Sequence, residues 1–111
     1  MTQINIADDF SRFPTGREYP DDGDKTGDIF RENFLVKALT ESDGPVFVSL
    51  DGVAGPPSSF LDEAFAGLIR YHGYSVEVLK KRLKVITSDP SKDRFIDLIW
   101  SYIREAKATV A

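Results

Sequence analysis

The chain has 111 residues, 41% hydrophobic and 29% charged, with a net charge of −4. That is the composition of one globular domain over residues 1–111, not of a disordered or multidomain chain. It has no cysteine and one histidine, which excludes disulfides, thiolate-held zinc, iron–sulfur clusters and thiol catalysis, and no cofactor is expected.

The acidic balance opposes nonspecific binding to nucleic acid. The charge is uneven: residues 1–45 hold ten acids and five bases, and the remainder eight acids and nine bases. No basic stretch followed by an apolar run opens the chain, and no apolar stretch reaches the roughly 20 residues that span a bilayer. A cytoplasmic location is the expectation.

Gln3 to Ile6 alternates as a short edge strand. Phe10 to Tyr19 carries Pro14 and Gly16 and reads as a loose second strand or hairpin. Residues 20–26 form a polar loop. Thr26 is placed to cap a helix whose first turn holds Asp28 and whose apolar positions are Phe30, Phe34, Leu35, Ala38 and Leu39. Asp43, Gly44 and Pro45 stop it. Val46 to Val53 is the best strand, apolar on both faces at its start, as a central strand covered on more than one side would be. The stiff turn Ala54-Gly55-Pro56-Pro57 follows. Ser59 then caps a helix, with Asp62 at capping-box spacing and an apolar stripe of Leu61, Ala64, Phe65 and Leu68. Gly73 ends it.

Ser75 caps a shorter helix that ends in Lys80-Lys81-Arg82, a basic run read as a solvated helix end. Leu83 to Thr87 is a strand. Asp89 and Pro90 open the last helix, whose buried face includes Phe95, Ile96, Ile99 and Ile103. The order is β-β-α-β-α-α-β-α, which predicts an α/β fold: a four-stranded mixed sheet covered by about four helices.

The segment Gly55–Ser59 is the most informative for function. It leaves the carboxyl end of the central strand and opens a helix, where ligands of open α/β sheets bind and where free N–H groups attract anions. Its serines are either capping residues or acceptors whose phosphate would sit on the positive helix end. There is no Gly-Lys-Ser/Thr ending, so it is not a Walker loop. His72 lies at a helix C-terminus and has no cysteine to partner it, which favours a surface role over catalysis. Asp21, Asp22 and Asp24 lack the helical flanks of a calcium loop, and no metal site is expected. Arg17 and Arg31 flank this acidic loop. They either pair with its aspartates or converge with the serine turn on an anion.

The run from Val46 to Ile69 resembles the STAS domain of anti-sigma factor antagonists, in which a central strand enters an Asp-Ser-Ser-Gly turn. More of the chain is similar to the bacterial STAS-like domain family of unknown function, through Phe10-Ser11, Arg17 with Asp22-Gly23, Gly27 with Phe30-Arg31, and Ser58 to Phe65. The resemblance implies a STAS-like fold and partner switching with a GHKL-type ATP-binding protein or kinase. It places the phospho-acceptor at Ser58, with Ser59 beside it. Pro57 stands where that pattern has aspartate, and Phe60 where it has glycine.

The expectation is therefore a non-enzymatic regulatory interaction domain that docks through Gly55–Glu63. Gly55, Phe60, Asp62 and Glu63 would supply contacts, and serine phosphorylation would act as the switch. The alternative is a small-anion or nucleotide sensor using the same helix start with Arg17 or Arg31. With one histidine and no cysteine, no nucleophile–base pair can be assembled for an enzyme. The edge strand at Gln3–Ile6 leaves room for a homodimer through sheet edges.

Overall fold

A computed structural model describes residues 2–108. Three short strands, β1 (Thr2–Asn5), β2 (Val46–Ser49) and β3 (Leu83–Ile86), pair side by side with β2 in the centre. Both pairings are parallel, with Ile4 opposite Val48 and Val48 opposite Val85. Parallel neighbours need long crossovers, and helices supply them. Helix α1 (residues 27–41) links β1 to β2, and α2 (residues 58–72) with α3 (Val76–Arg82) links β2 to β3. Helix α4 (Asp93–Glu105) follows β3 and packs on the middle of α2.

The expected fourth strand is absent among the described residues, and the sheet is parallel rather than mixed. The first strand ends at Asn5, one residue short of the expected Ile6, and Ile6–Phe10 coil into a single π-turn that takes Phe10 out of the expected second strand over Phe10–Tyr19. Its start is capped by Asn5, whose side chain accepts from the Asp8 amide at 2.9 Å. The turn lifts Phe10 off the sheet direction and into a cluster of rings with Phe30, Phe34 and Phe60, at centroid distances of 5.2, 5.6 and 6.2 Å. Burying an aromatic ring outweighs the small strand propensity of one short segment. Residues 11–26 then form a loop closed on itself: Gly16 bridges Thr26, and the Gly27 amide donates to the Gly16 carbonyl at 2.8 Å.

The sheet is also covered on one face only. Ile4, Val46, Val48, Leu83 and Val85 face the core, while Phe47 and Ser49 are half-buried and Ile86 is 44% exposed on the other side. The two apolar faces of β2 therefore do not mean two covering layers.

Local capping agrees with the sequence at three helix ends. Ser75 accepts from the Val78 amide at 3.1 Å, Gly73 closes α2 at φ +71°, and Asp89 accepts from the Ser91 amide at 3.0 Å with Pro90 following, capping a short 3-10 turn (Pro90–Lys92) that leads into α4 rather than α4 itself. Thr26 precedes α1 as expected, but its hydroxyl donates to Asp28 rather than accepting from the helix. At α2 the capping residue is Pro57, and the helix starts at Ser58. Ser59 is thus already inside the helix, and Asp62 is free to pair elsewhere. The basic run is only partly solvated: Arg82 reaches back to donate to the carbonyls of Leu39 (2.9 Å), Gly44 (3.2 Å) and Ser42, closing the C-terminal end of α1. No helix among the described residues is long and apolar enough to cross a membrane.

Candidate functional site

The turn after β2 is held at both ends. The Leu50 amide donates to Ile86 O at 2.9 Å, and Asp51 accepts from the Thr87 hydroxyl (2.7 Å) and the Ser88 amide (2.8 Å). Those hydrogen bonds, Thr87 first, hold the Asp51 carboxyl below its usual range. Farther on, the Ala54 amide donates to Arg12 O at 2.9 Å. Gly55 adopts φ +45°, which a residue with a side chain enters at a cost. The chain then turns through Pro56 and Pro57 into α2.

Gly55 and Ser58 are exposed and Ser59 is half-buried; neither serine hydroxyl is hydrogen-bonded among the described residues. Ser58 thus occupies the first position of α2, beside the amides that a helix start leaves unpaired. Phe60 and Glu63, expected as partner contacts, lie inside instead. Phe60 is fully buried against Phe10 and Phe30, and Glu63 is 3% exposed. The reason is that α2 is covered nearly all round, with residues 60, 61 and 63–69 buried.

Arg17 and Arg31 do converge, but on carboxylates of this chain. Arg17 Nη1 reaches Asp62 at 2.8 Å and Glu63 at 3.2 Å. Arg31 Nη1 donates to Glu63 Oε2 at 2.8 Å and to the Glu63 carbonyl at 2.7 Å, and its Nε meets Glu32 at 2.7 Å. Arg70 braces Asp62 from one side at 2.9 Å, and His72 Nε2 lies 2.7 Å from Glu32. Charge therefore alternates along one continuous path, from Arg70 through Asp62, Arg17, Glu63 and Arg31 to Glu32, which also meets the His72 ring. It pins the acidic loop to α2 and α2 to α1. An anion site built on Arg17 and Arg31 would have to displace Asp62 or Glu63.

Both helices carry a π-turn where this network sits, Arg31–Val36 in α1 and Asp62–Ala66 in α2. The widened turns re-aim the side chains at their starts. Helix spacing cannot reveal a network drawn from three separate segments, the loop, α1 and α2. Arg70 and Glu32 are the members that the sequence did not single out.

Burial alone would raise the Asp62 carboxyl, but the hydrogen bonds from Arg70 and Arg17 outweigh it and hold the group below its usual range. Glu32 is lowered in the same way, burial opposing and His72 with Arg31 prevailing. A depressed carboxyl contributes stability above its ordinary pKa and loses that contribution as pH falls through the depressed value. Stability should therefore decline below about pH 4. In urea titrations run from neutral to acid pH, Asp62→Asn should flatten that decline by on the order of 1 kcal/mol. Parallel acid limbs for the two proteins would contradict the assignment.

A family model described as a STAS-like domain of unknown function (DUF4325) matches residues 26–93. No curated protein and no solved structure gives a significant match. The matched span starts at the cap of α1 and ends at the start of α4, so it contains β2, the serine turn, α2 and every member of the ionic network except Arg17.

Proposed function

The chain belongs to the family of STAS-like domains of unknown function, and from that premise we propose that it is a regulatory interaction domain and not an enzyme. Its docking surface is the turn Gly55–Ser59 at the start of α2. Its partner is a GHKL-type ATP-binding protein, and Ser58 is the switch. The observation that carries this reading is the exposure of Ser58 at the first position of a 15-residue helix, on a turn clamped from both sides. An exposed, rigidly presented hydroxyl suits a kinase. A phosphate there adds about −2 charge on the favourable end of the helix dipole, and so changes docking without unfolding the domain.

Gly55, Ser58 and Ser59 take the contact role. Phe60 and Glu63 support the turn from beneath, and Asp62 holds Arg17. Affinity capture from the native host, with wild type, Ser58→Ala, Ser58→Glu and Gly55→Arg compared, tests this. Wild type and Ser58→Ala should retain an ATP-binding protein, while Ser58→Glu and Gly55→Arg should lose it by about tenfold or more. Capture unaffected by Ser58→Glu would end the switch. Capture unaffected by Gly55→Arg would move the docking surface elsewhere.

A further inference from the structure

Each edge of the three-stranded sheet is open among the described residues, because β1 and β3 each have only β2 as a neighbour. An open edge is a row of unpaired N–H and C=O groups, and proteins guard such edges with lysine. β3 is guarded: Lys84 lies in it, its ammonium donating to the Lys80 carbonyl at 3.1 Å, with Lys81 beside. β1 (Thr2-Gln3-Ile4-Asn5) carries no lysine and no charge of its own, and only its last amide, that of Asn5, is covered, donating to the Asp9 carboxylate at 2.8 Å.

A groove of about 370 Å³ runs along this edge, between Thr2 and Ile4 on one side and α1 on the other. Phe34 and Ala38 give it an apolar floor, and Lys37 and Glu41 stand on it from α1. Both are exposed and belong to no ion pair among the described residues. They are four residues apart with lysine first, the poorer order for an ion pair within one helix.

We propose that the β1 edge and this groove form a self-association surface, in which β1 pairs antiparallel with β1 of a second copy about a twofold axis. Such an axis sets α1 antiparallel to its copy across the junction. Lys37 then meets Glu41 of the second copy, and Glu41 meets its Lys37, so the rim is self-complementary as an isologous interface requires. The two sheets join into one of six strands, and the edge groups of β1 ahead of Asn5 gain partners. Phe34 and Ala38 of each copy cover the apolar side of the other's β1. This surface is separate from the turn at the start of α2, and its test does not depend on that reading.

The test is sedimentation of the full chain at increasing concentration, with charge reversals at the rim. Wild type should dimerise in the range of about 100 μM, as a small interface does. Lys37→Glu and Glu41→Lys should each weaken association about tenfold, since two attractive pairs become repulsive in every dimer. The double reversal, and an equimolar mixture of the two single variants, should recover it. A wild type that stays monomeric to about 1 mM overturns the proposal. So does a dimer indifferent to either single reversal, and so does loss in both single variants without recovery in the mixture.

Discussion

Replacing Arg31 by methionine should lower stability by about 3 kcal/mol or more, because it leaves the carboxylate of Glu63 buried with only half its compensation. Arg31 is 6% exposed and Glu63 3%, and their side chains meet at 2.8 Å. Arg17 alone would remain on Glu63, at 3.2 Å and from a half-exposed position. For a domain of this size that loss corresponds to a melting midpoint roughly 12–24 °C lower.

The companion variant separates a buried charge from simple loss of packing. Changing Glu63 to leucine on top of Arg31→Met removes both charges together, and apolar replacements of a buried pair are close to neutral. The double variant should therefore regain most of the lost stability, with a coupling of at least about 2 kcal/mol in the cycle. Additive losses would mean that Arg31 acts through its other contacts, its stacking on Tyr71 at 4.8 Å and its bond to Glu32.

Much of the fold was legible because it rests on local chemistry. Ser75, Gly73 and the Asp89-Pro90 pair act within one turn of themselves, and the central strand is a run of β-branched and aromatic residues between turn signals. The misreadings with the largest consequence come from contact between distant segments. Phe10 left its expected strand for rings supplied by residues 30, 34 and 60.

Phe60 falls outside the stripe drawn through Leu61, Ala64, Phe65 and Leu68, yet from 60 to 69 only Asp62 is not buried. The signal was present: a helix apolar nearly all round is an interior helix. Applied here, that rule would have moved Phe60 into the core and left Glu63 as a buried acid in need of a base. Which bases answer it is set by the loop closure at Gly16 and Thr26 and by the approach of α1 to α2, neither of which leaves a local trace in the sequence. The exposed serine turn was legible from its Gly-Pro-Pro-Ser-Ser chemistry alone, although its capping residue was misplaced by two positions.

That approach of α1 to α2 leads to the second large effect. Gly27→Ala should destabilise the domain by about 2–3 kcal/mol, although alanine is favoured over glycine in a helix by about 1 kcal/mol. A methyl group at Gly27 would lie 2.8 Å from both the Glu63 Cβ and the Phe60 carbonyl oxygen, and 3.0 Å from the Ala64 amide nitrogen. Two of those neighbours are backbone of α2, so the helices must move apart rather than a side chain swing away. The displacement would reach Phe60, the ring beneath the serine turn, and Glu63, the hub of the ionic network.

Gly44 supplies the control. It lies just after α1, does not have a positive φ, and a methyl there would meet nothing within 4 Å. Gly44→Ala should be neutral or stabilising by up to about 1 kcal/mol through the unfolded chain. Urea unfolding of the two variants beside wild type decides the matter. Equal effects at the two sites would mean that α1 and α2 are not in backbone contact at Gly27. Opposite effects would identify Gly27 as the point of backbone contact between α1 and α2.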